Sequence, residues 1–171
     1  IIDFNEPNTN VDITISDEAL EAIVGNIILE AVRDIFVNFQ VDLTNNNNVT
    51  FNAGRHIEFN QPITGINNLT LVADAAFTGF PSDGVGDIRM NTSLNIAGVG
   101  TMSGVNIELA GDLSSQGWTF NVPIDLNGVG NQSISAGAGT LTANNTILKS
   151  STGNLSITAG TLRDLNASVT A

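Results

Sequence analysis

A short segment keeps returning along this chain, and its spacing restricts the fold more than any other feature. It reads Asn, apolar, any, apolar, any, Ala. NIILEA (26–31), NVTFNA (48–53), NLTLVA (68–73) and NLSITA (154–159) carry it; NQSISA (131–136) keeps only Ile134 of its apolar pair. Weaker copies, DIRMNT from Asp87 and NIELA from Asn106, fill the gap. The starts fall at 26, 48, 68, 87, 106, 131 and 154, giving intervals of 22, 20, 19, 19, 25 and 23. Within each copy apolar residues alternate with polar ones, the period of a strand with one buried face. A strand-sized unit recurring about every 21 residues is the mark of a solenoid whose turns stack on one another.

The stretches between copies supply more strands: DIFVN from Asp34, HIEFN from His56, SLNIAG from Ser93, WTFNVPIDL from Trp118, TLTA from Thr140, TILK from Thr146 and TLRDL from Thr161. Two or three short strands per turn follow, with Gly and Asn at the corners, where a positive φ is often needed. GVG at 84, 98 and 128 and AGAG at 136–139 read as such corners. The longer intervals place the larger loops in the last third, one of them at Ser114–Gly117. Val11–Ile15 reads as an opening strand. Ser16 as N-cap, Asp17 and Glu18 in the first turn and Gly25 as a stop predict one helix over 17–24, with Leu20, Ile23 and Val24 on its apolar face. The organisation expected is therefore a strand and helix over 1–25, the helix lying on the core or capping it, followed by a solenoid over 26–171. No composition shift marks a second domain.

The repeated Asn has its own meaning. Stacked at equivalent corners, amide side chains can hydrogen-bond turn to turn. Asn26, Asn48, Asn68, Asn106, Asn131 and Asn154 form the expected ladder, with Asp87 interrupting it.

Charge and composition narrow the partners. Five basic against 17 acidic residues leave a net charge of −12, which disfavours nucleic acid and anionic membrane surfaces. No Cys is present, so disulfides and thiolate metal sites are excluded. No apolar run reaches the 18 residues of a membrane-spanning helix. The chain opens Ile1-Ile2-Asp3, without initiator Met, and reads as an excerpt of a longer rod.

With the repeats in place, the chain resembles bacterial filamentous-haemagglutinin-like exoproteins. The stretches that carry the resemblance are GNIILEAVRDIFVN (25–38), VTFNAGRHIEFNQPI (49–63) and the segment 69–117, with its Ala-Asp, Gly-Val-Gly and Met-Asn elements. The resemblance implies a right-handed parallel β-helix exported through a partner pore, working at the cell surface or outside it in adhesion or matrix. The amino-terminal secretion module of such exoproteins is not in this sequence.

Catalytic signals are thin. His56 is the only histidine, no Gly-X-Ser-X-Gly elbow occurs, and alternation puts His56 and Glu58 outside. Arg33-Asp34 and Arg163-Asp164 read as surface pairs. Asp83 and Asp87, around Gly-Val-Gly, offer oxygen ligands of the kind calcium prefers, though a plain glycine corner fits equally. Trp118 is the candidate for stacking on a sugar, against a packing role over a Gly-rich turn. The reading is an all-β, right-handed parallel β-helix of about seven turns. It is not an enzyme and needs no cofactor. It is expected to meet other copies or neighbouring segments end to end, and a glycan or protein of a host or matrix. The competing reading is a polysaccharide-binding or polysaccharide-cleaving β-helix with a groove of carboxylates, a basic residue and an exposed Trp118.

Overall fold

The computed structural model describes residues 2–3, 15–77, 81–164 and 169–170. Every strand pairs in parallel with the equivalent strand one turn away, giving a β-solenoid of about six turns with three sheets. The first sheet stacks Ile2–Asp3, Ile27–Ala31, Val41–Ala53, Ile63–Val72, Val99–Ser103, Gly117–Phe120, Thr140–Ala143 and Thr161–Asp164. The second stacks Ile35–Val37, Ile57–Phe59, Asp87–Met90, Asn106–Leu109, Ile124–Leu126, Ile147–Lys149 and Val169–Thr170. The third holds Leu94–Asn95, Leu113–Ser114, Gln132–Ser135 and Leu155–Thr158. In the first two turns the third side is built by the leading halves of Val41–Ala53 and Ile63–Val72. These bend at Asn46, with φ 48°, and at Gly65, with φ 71°.

The interior consists of ladders of like residues. On the second sheet Ile35, Ile57, Ile88, Ile107, Ile124 and Ile147 lie one over another. On the first, Leu29, Phe51, Leu71, Met102 and Phe120 do the same. β-branched and unbranched aliphatics suit this because each rung repeats at about 4.8 Å, so a side chain packs on a copy of itself. A second row of the first sheet runs Val49, Leu69, Gly100, Trp118, Leu141. Here an absent side chain meets the largest one. The Trp118 ring occupies the space above Gly100, stacks on Phe120 at 5.6 Å between centroids, and is 1% exposed.

The helix is shorter than the pattern suggests, Asp17–Glu21, with Ser16 capping it through a bond accepted from the Ala19 N–H. Leu20 and Ile23 pack on the core, whereas Val24 is 84% exposed and leaves the apolar face. The helix contacts Val41–Ala53, and Glu21 Oε1 accepts the Asp42 backbone N–H. Its side chain thus satisfies a donor on the outermost strand of the third side. The opening strand read at 11–15 falls largely outside the described residues.

The seven repeat copies do not form one stack. NIILEA, NVTFNA and NLTLVA share the first sheet; DIRMNT and NIELA lie in the second; NQSISA and NLSITA lie in the third. The cause is a single insertion. Residues 73–86 leave the solenoid between the first and second sheets of the third turn, so the first-sheet step from Leu71 to Met102 is 31 residues. The 19-residue interval from Asn68 to Asp87 is therefore a move within one turn. The longest loop lies in the middle of the chain, not in the last third. Ser114–Gly117 is a tight corner, closed by Ser115 Oγ, which accepts the Gly117 N–H at 2.9 Å and donates to the Gly117 carbonyl.

Candidate functional site

Two surfaces stand out once the solenoid is wound. The first is the outer face of the first sheet. Alternation points Thr50, Thr70, Thr101, Thr119 and Thr142 outward, and the register places them in one row, a Thr per turn. One flanking row begins with Asn26, Asn48 and Asn68. Asn48 Nδ2 donates to Asn26 Oδ1 at 3.1 Å, Asn68 Nδ2 donates to Asn48 Oδ1 at 2.9 Å, and Asn68 Oδ1 accepts the Val99 N–H at 2.9 Å. The row continues through Val99, Gly117 and Thr140. The other flank carries Asn52 on Glu30, Asn121 on Ser103 and Asn144 on Asn121, each joined by a side-chain hydrogen bond of 2.8–3.0 Å. From Asn48 to Asn144, the outward positions of five successive strands carry no charged residue. A shallow trough of about 330 Å³ crosses three of these strands at Val99, Thr101, Gly117, Thr119, Thr140 and Thr142.

The second surface is the corner between the first and second sheets. Asp34 pairs with Arg55 of the next turn and accepts the His56 backbone N–H at 3.1 Å. The Asp87 backbone N–H donates to His56 Nδ1 at 3.1 Å. Arg89 pairs with Asp87 at 3.0 Å and approaches Glu108 at 3.7 Å, with Glu58 in register on its other side. Partial burial raises the Asp34 pKa, but the hydrogen bonds from Arg55 and from the His56 backbone, with their charges, outweigh it. Its carboxyl lies below the usual carboxylate value. Asp42, on the third side, is also lowered, by hydrogen bonds from Thr64 and Gln40. His56 is thus partly buried and engaged across turns, not a lone surface residue, and Asp34 answers Arg55 in the turn beyond.

The sequence-derived site residues sort accordingly. Asn26, Asn48 and Asn68 form a bonded ladder. Asn106 sits beside Asp87 on the second sheet, and Asn131 accepts the Asn154 backbone N–H at 3.0 Å on the third. One proposed ladder is thus three separate pieces. A ladder that the repeat did not reveal runs Asn38, Asn60, Asn91 at the second-sheet corner, with amide contacts of 3.0 and 2.7 Å. Its signal was present, since each Asn follows the strand cores IFV, IEF and IRM. Asp83 accepts the Val85 N–H, while Asp74 accepts those of Asp83 and Gly84. Asp83 therefore folds onto its own loop while Asp87 answers Arg89. Among the described residues no group of three or more His, Asp or Glu is placed to hold a metal ion. Trp118 is buried in the core and cannot stack on an external sugar. The groove expected around it has no carboxylate and no basic residue on its walls. Arg163 lies at the exposed end of the Thr row, and the side chain of Asp164 falls outside what is described.

No helix among the described residues is long and apolar enough to cross a membrane. No protein-family model, curated protein or solved structure matches this chain.

Proposed function

We propose that this chain is a structural segment of a cell-surface or secreted rod, displaying its faces to partners in an adhesive or matrix-forming role. The observation that carries the reading is the unbroken parallel stack. Six turns repeat the same rungs, the core is a column with no enclosed cavity site, and polar side chains are largely spent on bonding one turn to the next. A structure built this way transmits length and presents regular faces; it does not converge groups on a reacting atom. The sole His has its Nδ1 occupied by a backbone N–H, so it is not poised as a free base. The filamentous-haemagglutinin resemblance supports the surface location and the rod.

Strand edges support end-to-end contact. In the first sheet Thr161–Asp164 is the outermost strand at one end of the stack, and an open parallel edge is a template for another strand. Continuation by a neighbouring segment or another copy satisfies it. Sedimentation and electron microscopy of the purified chain at rising concentration test this. Elongated particles that lengthen along the stack axis are expected. Compact particles of unchanging size at high concentration would remove the assembly part of the reading.

A further inference from the structure

On a chain of net charge −12, one flat face is free of charge, and that face carries the one long row of hydroxyls. Among the described residues Thr50, Thr70, Thr101, Thr119 and Thr142 make no intramolecular side-chain hydrogen bond, whereas most of the Asn on either flank are bonded to their neighbours. Each Thr offers a donor, two acceptor lone pairs and a methyl group. Donor and acceptor capacity that the fold has not used therefore lies along a single line, parallel to the solenoid axis, repeating at about 4.8 Å. The trough gives the line a seat. In the flanking row Gly117 has no side chain between Val99 and Thr140, and Val99, 53% exposed, forms an apolar wall.

We propose that this face binds an uncharged polysaccharide chain laid along the axis, with Thr101, Thr119 and Thr142 bonding its hydroxyls and Val99 meeting a C–H face of a sugar ring. An anionic glycan finds no cation on these strands. A cationic ligand would choose the carboxylates of the other sides, such as Glu58, Glu108 and Asp125. A second copy of the chain is a poorer fit. Six strands at about 4.8 Å, by some four residues at about 3.3 Å, make a face of roughly 400 Å², half of what each partner of a stable interface buries. A polymer gains instead by repeating weak contacts along the row. This inference deepens the adhesive reading above and rests on it.

The test is retention of the full chain on insoluble cellulose, chitin and β-1,3-glucan, with alginate beads as the anionic comparison. Retention by at least one neutral polymer is expected. The triple change Thr101→Val, Thr119→Val, Thr142→Val removes three hydroxyls at β-favouring positions and is expected to weaken binding by about tenfold or more. Gly117→Gln, which fills the trough, is expected to weaken it likewise, and Glu108→Gln on the second sheet to leave it unchanged. Circular dichroism checks that each variant is folded. Retention on none of the neutral polymers, retention on alginate alone, or a triple variant that binds like the parent overturns the proposal. Self-association that the triple variant abolishes would also overturn it, assigning the face to a copy contact. Sedimentation shape reports on the rod independently, so loss of binding and loss of the rod are told apart.

Discussion

Replacing Gly100 by Ala tests the stacking more sharply than any surface change. A Cβ built on Gly100 would lie 1.9 Å from Trp118 Cζ3 and 2.3 Å from Cε3, far inside contact distance. The ring cannot swing away, because it is 1% exposed and stacked on Phe120. Forcing one methyl into a filled core costs about 1–3 kcal/mol, and a buried, immobile obstacle puts this case near 3. For a domain of this size that lowers Tm by roughly 6–12 °C. Trp118→Leu alone loses ring contacts and leaves a cavity, about 2–4 kcal/mol. It also removes the indole N–H, which is buried without a partner, and that offsets about 1–3 kcal/mol. The double variant Gly100→Ala, Trp118→Leu restores a regular aliphatic row, so the alanine methyl should find room the leucine leaves. Equilibrium urea unfolding of the four proteins gives the coupling, expected at about 2 kcal/mol or more in favour of the double variant. If Gly100→Ala is neutral within about 0.5 kcal/mol, or if the two costs simply add, Trp118 does not sit on Gly100 and the register of the fourth and fifth turns is wrong.

Gly65 offers an independent check on the bend of the second turn: its φ is 71° and a Cβ there would lie 1.6 Å from the Leu43 carbonyl oxygen. Gly65→Ala is expected to cost about 2 kcal/mol or more and to speed amide exchange over 41–66; unchanged exchange would count against the bend. The corner pair gives a pH signature. Because the folded Asp34 carboxyl lies below its unfolded value of about 3.9, its contribution is present above that pH and is lost as pH falls through the folded value. Arg55→Met removes the largest stabilising partner, so the stability gap between parent and variant should close on acidification. A gap that stays constant in urea titrations from about pH 6 to about pH 2 would show that Asp34 does not depend on Arg55.

How far the sequence could be read depended on what each residue answers to. Alternation in NIILEA, NVTFNA and NLTLVA showed strands, and their near-constant spacing showed parallel stacking; Leu29, Phe51 and Leu71 do lie one over another. The Ser16 cap was legible because it depends on residues three positions apart. The sheet to which each copy belongs was not. A solenoid corner followed by in-out alternation looks the same on all three sides, so DIRMNT and NQSISA imitate NLTLVA. The six-isoleucine column was written as Ile-X-apolar after Asp, His, Asp, Asn, Pro and Thr, and the varied leading residue hid it. His56 looked exposed by alternation, but it stands at a corner, where the neighbour that matters is Asp87, 31 residues on.

The residues alone determined a stacked, all-parallel architecture and a core of aliphatic rows, because both follow from local periodicity repeated at nearly fixed length. Which rows exist was decided in three dimensions. The loop at 73–86 changes the count between turns, and register is set by which strand lies above, not by which comes next. That choice buries Trp118 over Gly100, breaks the Asn ladder into three, and gathers five threonines scattered over 93 positions into one line.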